Sequence, residues 1–198
     1  MRPEGWRGRL FGVLMERLNR PTYRAAVELL SPLAGRRVLE IGFGTGALVE
    51  RLLRTDATVR VCGVDPTPTM RAVARARGAV VASAERVDLR EGADAPLPWL
   101  DGAFDAVAAL HSFQFWPDPV RSVREIARVL VPGGRLVLLL RDHGARAPEW
   151  LPNPLSRGAD EVGAAIRLLA KEGFDVERRP RVGASHVLRA TSSRREES

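Results

Sequence analysis

Three glycines at alternate positions, Gly42, Gly44 and Gly46, follow a short apolar run and lie between two carboxylates, Glu40 before them and Asp65 after. Glycines in this pattern let the backbone turn tightly and meet a ligand without side-chain obstruction. An acid at the end of the next strand accepts hydrogen bonds from both hydroxyls of a ribose. Charge-assisted contacts of that kind contribute roughly 1.5–3 kcal/mol. The set predicts a nucleoside site, against the plainer reading of a bare strand-to-helix turn. A nicotinamide or flavin dinucleotide prefers Gly-x-Gly-x-x-Gly, with a pyrophosphate at the helix N-terminus. Here the spacing is one residue shorter, and Glu40 adds negative charge where that pyrophosphate would lie. A phosphate-binding P-loop is excluded, because no Gly-Lys-Ser/Thr follows. A cofactor carrying an amino group and a sulfonium suits the charge better.

The elements that must position these residues alternate along the chain. Helical spacing of Leu10, Val13, Leu14 and Leu18 predicts a helix from residue 6, interrupted by Pro21 and resumed over 22–30. Strands are expected over 37–41, 59–64, 87–90, 104–110 and 135–140. Between them come helices over 47–54, with Val49, Leu52 and Leu53 inward, and 69–77. A further helix starts at Asp118, where the carboxylate caps free N–H groups and Pro119 takes the first position. Its inward residues are expected to be Val120, Val123, Ala127 and Leu130, and Pro132-Gly133-Gly134 to stop it. A proline-rich loop (141–158), a helix over 160–172 and two antiparallel edge strands within 174–190, separated near Pro180, complete the series. Strands alternating with helices imply one α/β domain with a doubly wound parallel sheet.

Composition narrows the class further. Of 198 residues 45% are hydrophobic and 28% charged, as in an ordinary globular domain. No apolar run is long enough to span a bilayer, and no secretory leader is recognisable. The single cysteine, Cys62, lies in an apolar run and reads as buried filler in a reducing, cytoplasmic setting. The net charge is +7, and all but one of the 31 basic residues are arginine. They are spread along the chain, so the charge reads as a solvated surface rather than as a nucleic-acid footprint.

Several segments, in order, resemble the class I S-adenosylmethionine (SAM)-dependent methyltransferases, in the small-molecule branch that includes the ubiquinone and menaquinone biosynthesis enzymes (methyltransferase type 11). Residues 38–46 are similar to the family's first motif with its acid, Glu40. Residues 63–70 resemble the second strand with its ribose acid, Asp65, followed by Pro66 and then Met70. Residues 91–99 resemble the adenine loop, 101–107 the entry to the fourth strand, and 115–119 and 128–136 complete the likeness. The resemblance covers about 36–140. It implies a Rossmann-like methyltransferase fold, a mostly parallel seven-stranded sheet with an antiparallel C-terminal edge. It also implies SAM as cofactor, S-adenosylhomocysteine as product, and a small-molecule acceptor. The implied cofactor site is Glu40, Gly42, Gly44, Gly46, Asp65, Pro66, Ala93, Asp94 and His111, with no metal. In one departure Ala93 stands between the loop glycine and Asp94, so Asp94 meets the adenine either through its side chain or through its backbone. Residues 1–30 are expected as a helical lid, 31–190 as the methyltransferase domain and 191–198 as a frayed tail.

Methyl transfer from a sulfonium needs alignment and water exclusion, and a base only where the acceptor must lose a proton. His111, at the end of the fourth strand, is the candidate, as proton acceptor or as pocket wall. His143 has a weaker claim, and His186 is expected to be structural or exposed. Phe113, Phe115 and Trp116 line an acceptor pocket or pack a helix, the last two leaning to packing. Trp6, Phe11, Tyr23 and the loop 149–154 are expected over the mouth. The alternatives are a non-catalytic SAM-binding protein and a nucleic-acid methyltransferase. Against the second, Ala109-Leu110-His111-Ser112 stands where an Asn/Asp-Pro-Pro-Tyr/Phe signature belongs, and Cys62 is on the wrong strand for a nucleophile.

Overall fold

The computed structural model describes residues 19–142 and 159–194. The helix expected before residue 19, Trp6, Phe11, His143 and the loop 149–154 lie outside them. Seven strands, β1 (Arg37–Ile41), β2 (Arg60–Asp65), β3 (Val87–Glu91), β4 (Phe104–Leu110), β5 (Leu130–Arg141), β6 (Phe174–Val182) and β7 (Ser185–Ser192), form one sheet in the order β3-β2-β1-β4-β5-β7-β6. The pairs among β1 to β5 are parallel, whereas β5–β7 and β6–β7 are antiparallel. The chain reverses at β1, with β2 on one side and β4 on the other. This is the switch point where ligands bind, outside the carboxyl ends of the strands.

The inner strands are apolar on both faces because both are covered. On one face Leu39, Ile41, Val107, Leu136 and Leu138 pack with Val123 and Ile126 of α5 (Pro119–Val129) and Val162 and Leu169 of α6 (Ala159–Lys171). On the other, Val38, Val61, Ala108, Val137 and Leu139 pack with Ala26 and Leu30 of α1 (Arg20–Leu30) and Leu48, Val49 and Leu52 of α2 (Ala47–Thr55). Successive residues on one strand therefore feed different layers. Cys62 is buried in the first layer, as expected. Two further helices, α3 (Pro68–Arg75) and the short α4 (Gly78–Ala82), lie between β2 and β3, and the second of them was not legible in the sequence.

Four expectations are corrected. Val120 is 39% exposed, and Ile126 and Val129 take the inward positions instead. Helix α5 ends at Val129, ahead of the Pro-Gly-Gly, because Leu130 already pairs with Phe104; the register then jumps so that Arg135 pairs with Ala106. Pro180 lies within β6, and the hairpin turns at Gly183-Ala184, where Gly183 has φ 55°. Strand β7 is interior, so of the two C-terminal strands β6 alone is an edge, and β7 runs through Ser192, past the boundary expected at 190. The Asp118 cap is as expected: its carboxylate accepts from the Arg121 N–H at 3.1 Å.

Candidate active site

The turn after β1 is held from both sides. The Gly42 and Phe43 N–H groups donate to the Val64 carbonyl at 2.8 and 3.4 Å, which ties the turn to β2. Asp65, 5% exposed, takes the Gly44 N–H on one carboxylate oxygen and the Thr67 N–H on the other, both at 2.8 Å. Each oxygen keeps a lone pair, so the carboxylate that shapes the turn can still accept from a ligand's hydroxyls. From the β4 side Ser112 donates to the Ile41 carbonyl at 2.8 Å and sits against Gly42, where an added Cβ would lie 2.7 Å from the Ser112 Cβ. At Gly44, with φ 53°, an added Cβ would meet nothing within 4 Å. The backbone there borders open space, as a ligand cradle requires.

Glu40, 2% exposed, lies beneath this turn. The residue capping α2 is Gly46, which has no side chain to offer, and the Val49 N–H of the first turn bonds the Glu40 carboxylate instead. Its other oxygen, Oε2, is buried and has no partner among the described residues. Burial first, and then the nearby Asp65 charge, push the Glu40 carboxyl well above the usual range; the Val49 N–H and Arg77 act the other way. A buried acceptor without a donor costs about 1–3 kcal/mol, more for a charged group. The site thus has a place for a cation or a donor. Glu40, Asp65 and the space at Gly44 together fit a nucleoside that carries an ammonium and a sulfonium.

Three arginines that sequence reasoning missed build the surroundings. Arg77 donates to the Thr45 carbonyl and pairs with Glu50, clamping the glycine turn from outside. Arg71 donates to the Asp65 carbonyl at 3.0 Å and to Glu91 at 2.7 Å, joining the ends of β2 and β3. Arg128 donates to the carbonyls of Leu97 and Trp99 and to Asp101 and Glu125, while Glu125 takes the Leu97 N–H at 2.8 Å. In the sequence these look like any other members of an arginine-rich surface, because nothing local marks which arginine folds inward.

Ala93, within the loop, and Pro66, just after β2, are exposed. One Asp94 carboxylate oxygen accepts from the buried Ser122 hydroxyl, which is also within reach of the Asp118 carbonyl. That contact anchors the loop to the start of α5. Replacing Arg128 by Ala should free the loop at several points and leave Glu125 half-buried without its cation. The expected loss is about 2–3 kcal/mol in chemical unfolding. A drop below about 0.5 kcal/mol would show that the loop holds without it.

His111 follows β4 with φ 56°, and its N–H bonds the Leu139 carbonyl at 3.0 Å. Both ring nitrogens are buried and without partners among the described residues, and burial, then the Arg141 charge, lower its pKa to about 4. His186 is structural: it is 4% exposed, its Nδ1 accepts from Arg178 at 3.2 Å, and its Nε2 lies 3.8 Å from Asp142. Phe113 and Trp116 pack on each other in the core, ring centroids 4.8 Å apart. Phe115, expected to pack, is instead 60% exposed. Tyr23 packs against the layer around α2, with the Arg51 guanidinium 5.8 Å over its ring.

A family model for a methyltransferase domain matches residues 39–138, from the middle of β1 into β5. The chain belongs to the methyltransferase domain family. An uncharacterized methyltransferase of Mycobacterium tuberculosis is 42% identical over 172 residues, 85% of this chain and 66% of that one, just under two thirds of its length. A demethylmenaquinone methyltransferase of Thermus thermophilus is 39% identical over 118 residues, 59% of this chain and 52% of that one. Among solved structures, the Haloferax volcanii complex of the Trm112 methyltransferase activator with a methyltransferase superposes with a TM-score of 0.78 at 20% identity, covering 92% of this chain and 94% of that one. The methyltransferase domain has the Rossmann-like fold expected of it, with the matched stretch carrying Glu40, the three glycines, Asp65, the loop and His111. Among the described residues no helix is long and apolar enough to cross a membrane, and no cluster of His, Cys, Asp and Glu has the makings of a metal site.

Proposed function

We propose that the protein transfers a methyl group from SAM to a small-molecule acceptor and releases S-adenosylhomocysteine. The observation that carries this reading is the buried Glu40, with an oxygen unpartnered among the described residues, together with Asp65, whose carboxylate takes the Gly44 N–H beside open space. The cofactor supplies a methyl already activated on a sulfonium. The chain's part is to hold and orient. Asp65 receives the ribose hydroxyls, Glu40 balances the cofactor's positive charge, and the Gly42–Gly46 backbone leaves room for its body. The loop at Ala93 and Asp94, held down by Ser122 and Arg128, closes over the adenine, with the Asp94 side chain committed to Ser122 and its backbone to the base. Pro66 follows Asp65 at the same edge. Walls formed by Phe113, Trp116 and the ends of β4 and β5 keep water from the methyl group.

The acceptor is best sought among lipophilic phenols and quinols. The Thermus relative named for demethylmenaquinone supports that class, and the exposed Phe115 beside β4 offers an apolar contact for it. Calorimetric titration with SAM, S-adenosylhomocysteine and NADH tests the reading. Micromolar binding of the first two and none of NADH supports it, and silence from a folded protein overturns it. Binding without turnover across a broad acceptor panel would leave a SAM-binding protein rather than an enzyme. Asp65→Ala should weaken SAM binding about tenfold or more, since it removes a charge-assisted contact and the anchor of the Gly44 N–H. Unchanged affinity in that variant would place the cofactor elsewhere.

A further inference from the structure

We propose that His111 binds the hydroxyl of the methyl acceptor and takes its proton, which assigns the substrate class: an acceptor methylated on an oxygen that carries a hydrogen. The proposal rests on the methyltransferase reading above. His111 lies at the end of β4, and its neighbour Ser112 closes against Gly42, so the imidazole belongs to the same sheet edge as the glycine turn. Two features of the residue work against stability. Its backbone takes the left-handed conformation at φ 56°, uncommon for a residue with a Cβ. Its two ring nitrogens are both shut off from solvent, and both lack a partner among the described residues. A leucine would fill the volume without orphaned nitrogens, and a glycine or asparagine would take the backbone conformation more easily. Strain and unmet hydrogen bonds at one residue mark a position kept for a ligand.

The chemistry of the unmet nitrogens is specific. A neutral imidazole offers one N–H and one lone pair. Burial and the Arg141 guanidinium of β5 keep it neutral near pH 7, so the lone pair is available to an O–H donor. As transfer proceeds, the acceptor oxygen bonds the methyl carbon, that carbon's bond to sulfur gives its electron pair to sulfur, and the hydroxyl proton passes to the His111 nitrogen. The sulfonium charge disappears as the imidazolium charge appears. Net charge in the buried site is conserved, and the low basicity of His111 in the free protein does not bar the step. The proton then leaves to solvent with the product.

The test uses the chain with nitrogen-15 labelled histidine, loaded with S-adenosylhomocysteine and titrated with catechol. The protein has three histidines, and the His111→Asn variant, which tolerates the left-handed backbone, identifies the signal. The expected result is that the His111 ring nitrogens shift on adding catechol and not on adding the cofactor product alone. In parallel, His111→Asn should bind S-adenosylhomocysteine within about threefold of wild type and transfer methyl to phenolic acceptors at least about 100-fold more slowly. Ring signals that move with the cofactor product and no further with catechol would make His111 part of the cofactor site. Signals that move with neither, or wild-type transfer by the variant, would make it pocket wall. Either result overturns the proposal. If wild-type protein fails to bind S-adenosylhomocysteine at all, it is the methyltransferase reading that falls.

Discussion

Gly44→Val should fold and fail to bind SAM, whereas Gly46→Val, two residues away, should be damaged in folding itself. Both glycines have positive φ, 53° and 75°, so either substitution carries a left-handed penalty of roughly 1–2 kcal/mol. Their surroundings then separate them. A Cβ at Gly44 meets no protein atom within 4 Å, so the folded chain accommodates it and only the ligand is displaced. A Cβ at Gly46 would lie 2.8 Å from the Ala74 Cβ and 3.2 Å from its Cα, where α3 packs against the turn and backbone must move. Overpacking of that kind adds about 1–3 kcal/mol. In calorimetry Gly44→Val should lose at least about 100-fold in SAM affinity, near 2.7 kcal/mol, with a modest fall in unfolding free energy. Gly46→Val should lose about 2–5 kcal/mol of stability. Equal destabilisation of the two, or SAM binding retained by Gly44→Val, would contradict the division of the turn into a ligand side and a packing side.

The glycine turn between two acids is legible in the residue order, but which glycine borders open space and which packs against α3 is not. Strand positions are legible too, because a buried parallel strand is a continuous apolar run and its ends are marked by charge or glycine. What escapes the sequence is what the third dimension decides. Val120 has helical spacing for the core face, yet it is 39% exposed while Val123, Ile126 and Val129 are buried. Pro180 reads as a strand break, but on an edge strand a proline can leave its missing N–H toward solvent. The interior position of β7 is not readable from two similar polar strands, because their order depends on which one meets β5.

The site divides in the same way. Asp65 and the glycines are local signals, and their geometry follows from one strand and one turn. Arg71, Arg77 and Arg128 act across distances in sequence that no local pattern records, and they are three among many arginines. Glu40 is legible as an acid in the right place. Its double duty is not: it caps a helix whose own cap residue is glycine, and it is left with one unmet oxygen. Stability and ligand binding therefore make opposite demands on one carboxyl group.

That opposition gives the second large expected effect, in Glu40→Gln. The folded protein holds the Glu40 proton more tightly than an unfolded chain does, because burial and Asp65 both disfavour the charge. An unfolded glutamate titrates near about 4.3. Below that pH the carboxyl is protonated in both states and costs nothing. As pH rises toward the raised folded value, the unfolded chain releases the proton first, and wild-type stability falls by about 1.4 kcal/mol for each unit separating the two. The amide that replaces the carboxyl in the variant carries no charge at any pH and keeps an oxygen for the Val49 N–H. The variant should match wild type near pH 4 and become the more stable of the two as pH rises above the unfolded value, measured by denaturant unfolding from acid to neutral pH. Its affinity for SAM should move the other way, weakening about tenfold, since the cationic cofactor loses its counter-charge. Calorimetry in buffers of different ionisation heat adds a signature that packing alone would not produce: at a pH where the free protein still holds the Glu40 proton, wild type should release protons on binding SAM, and Glu40→Gln should not. A variant less stable than wild type at neutral pH, with cofactor affinity intact, would mean that Glu40 serves the helix alone.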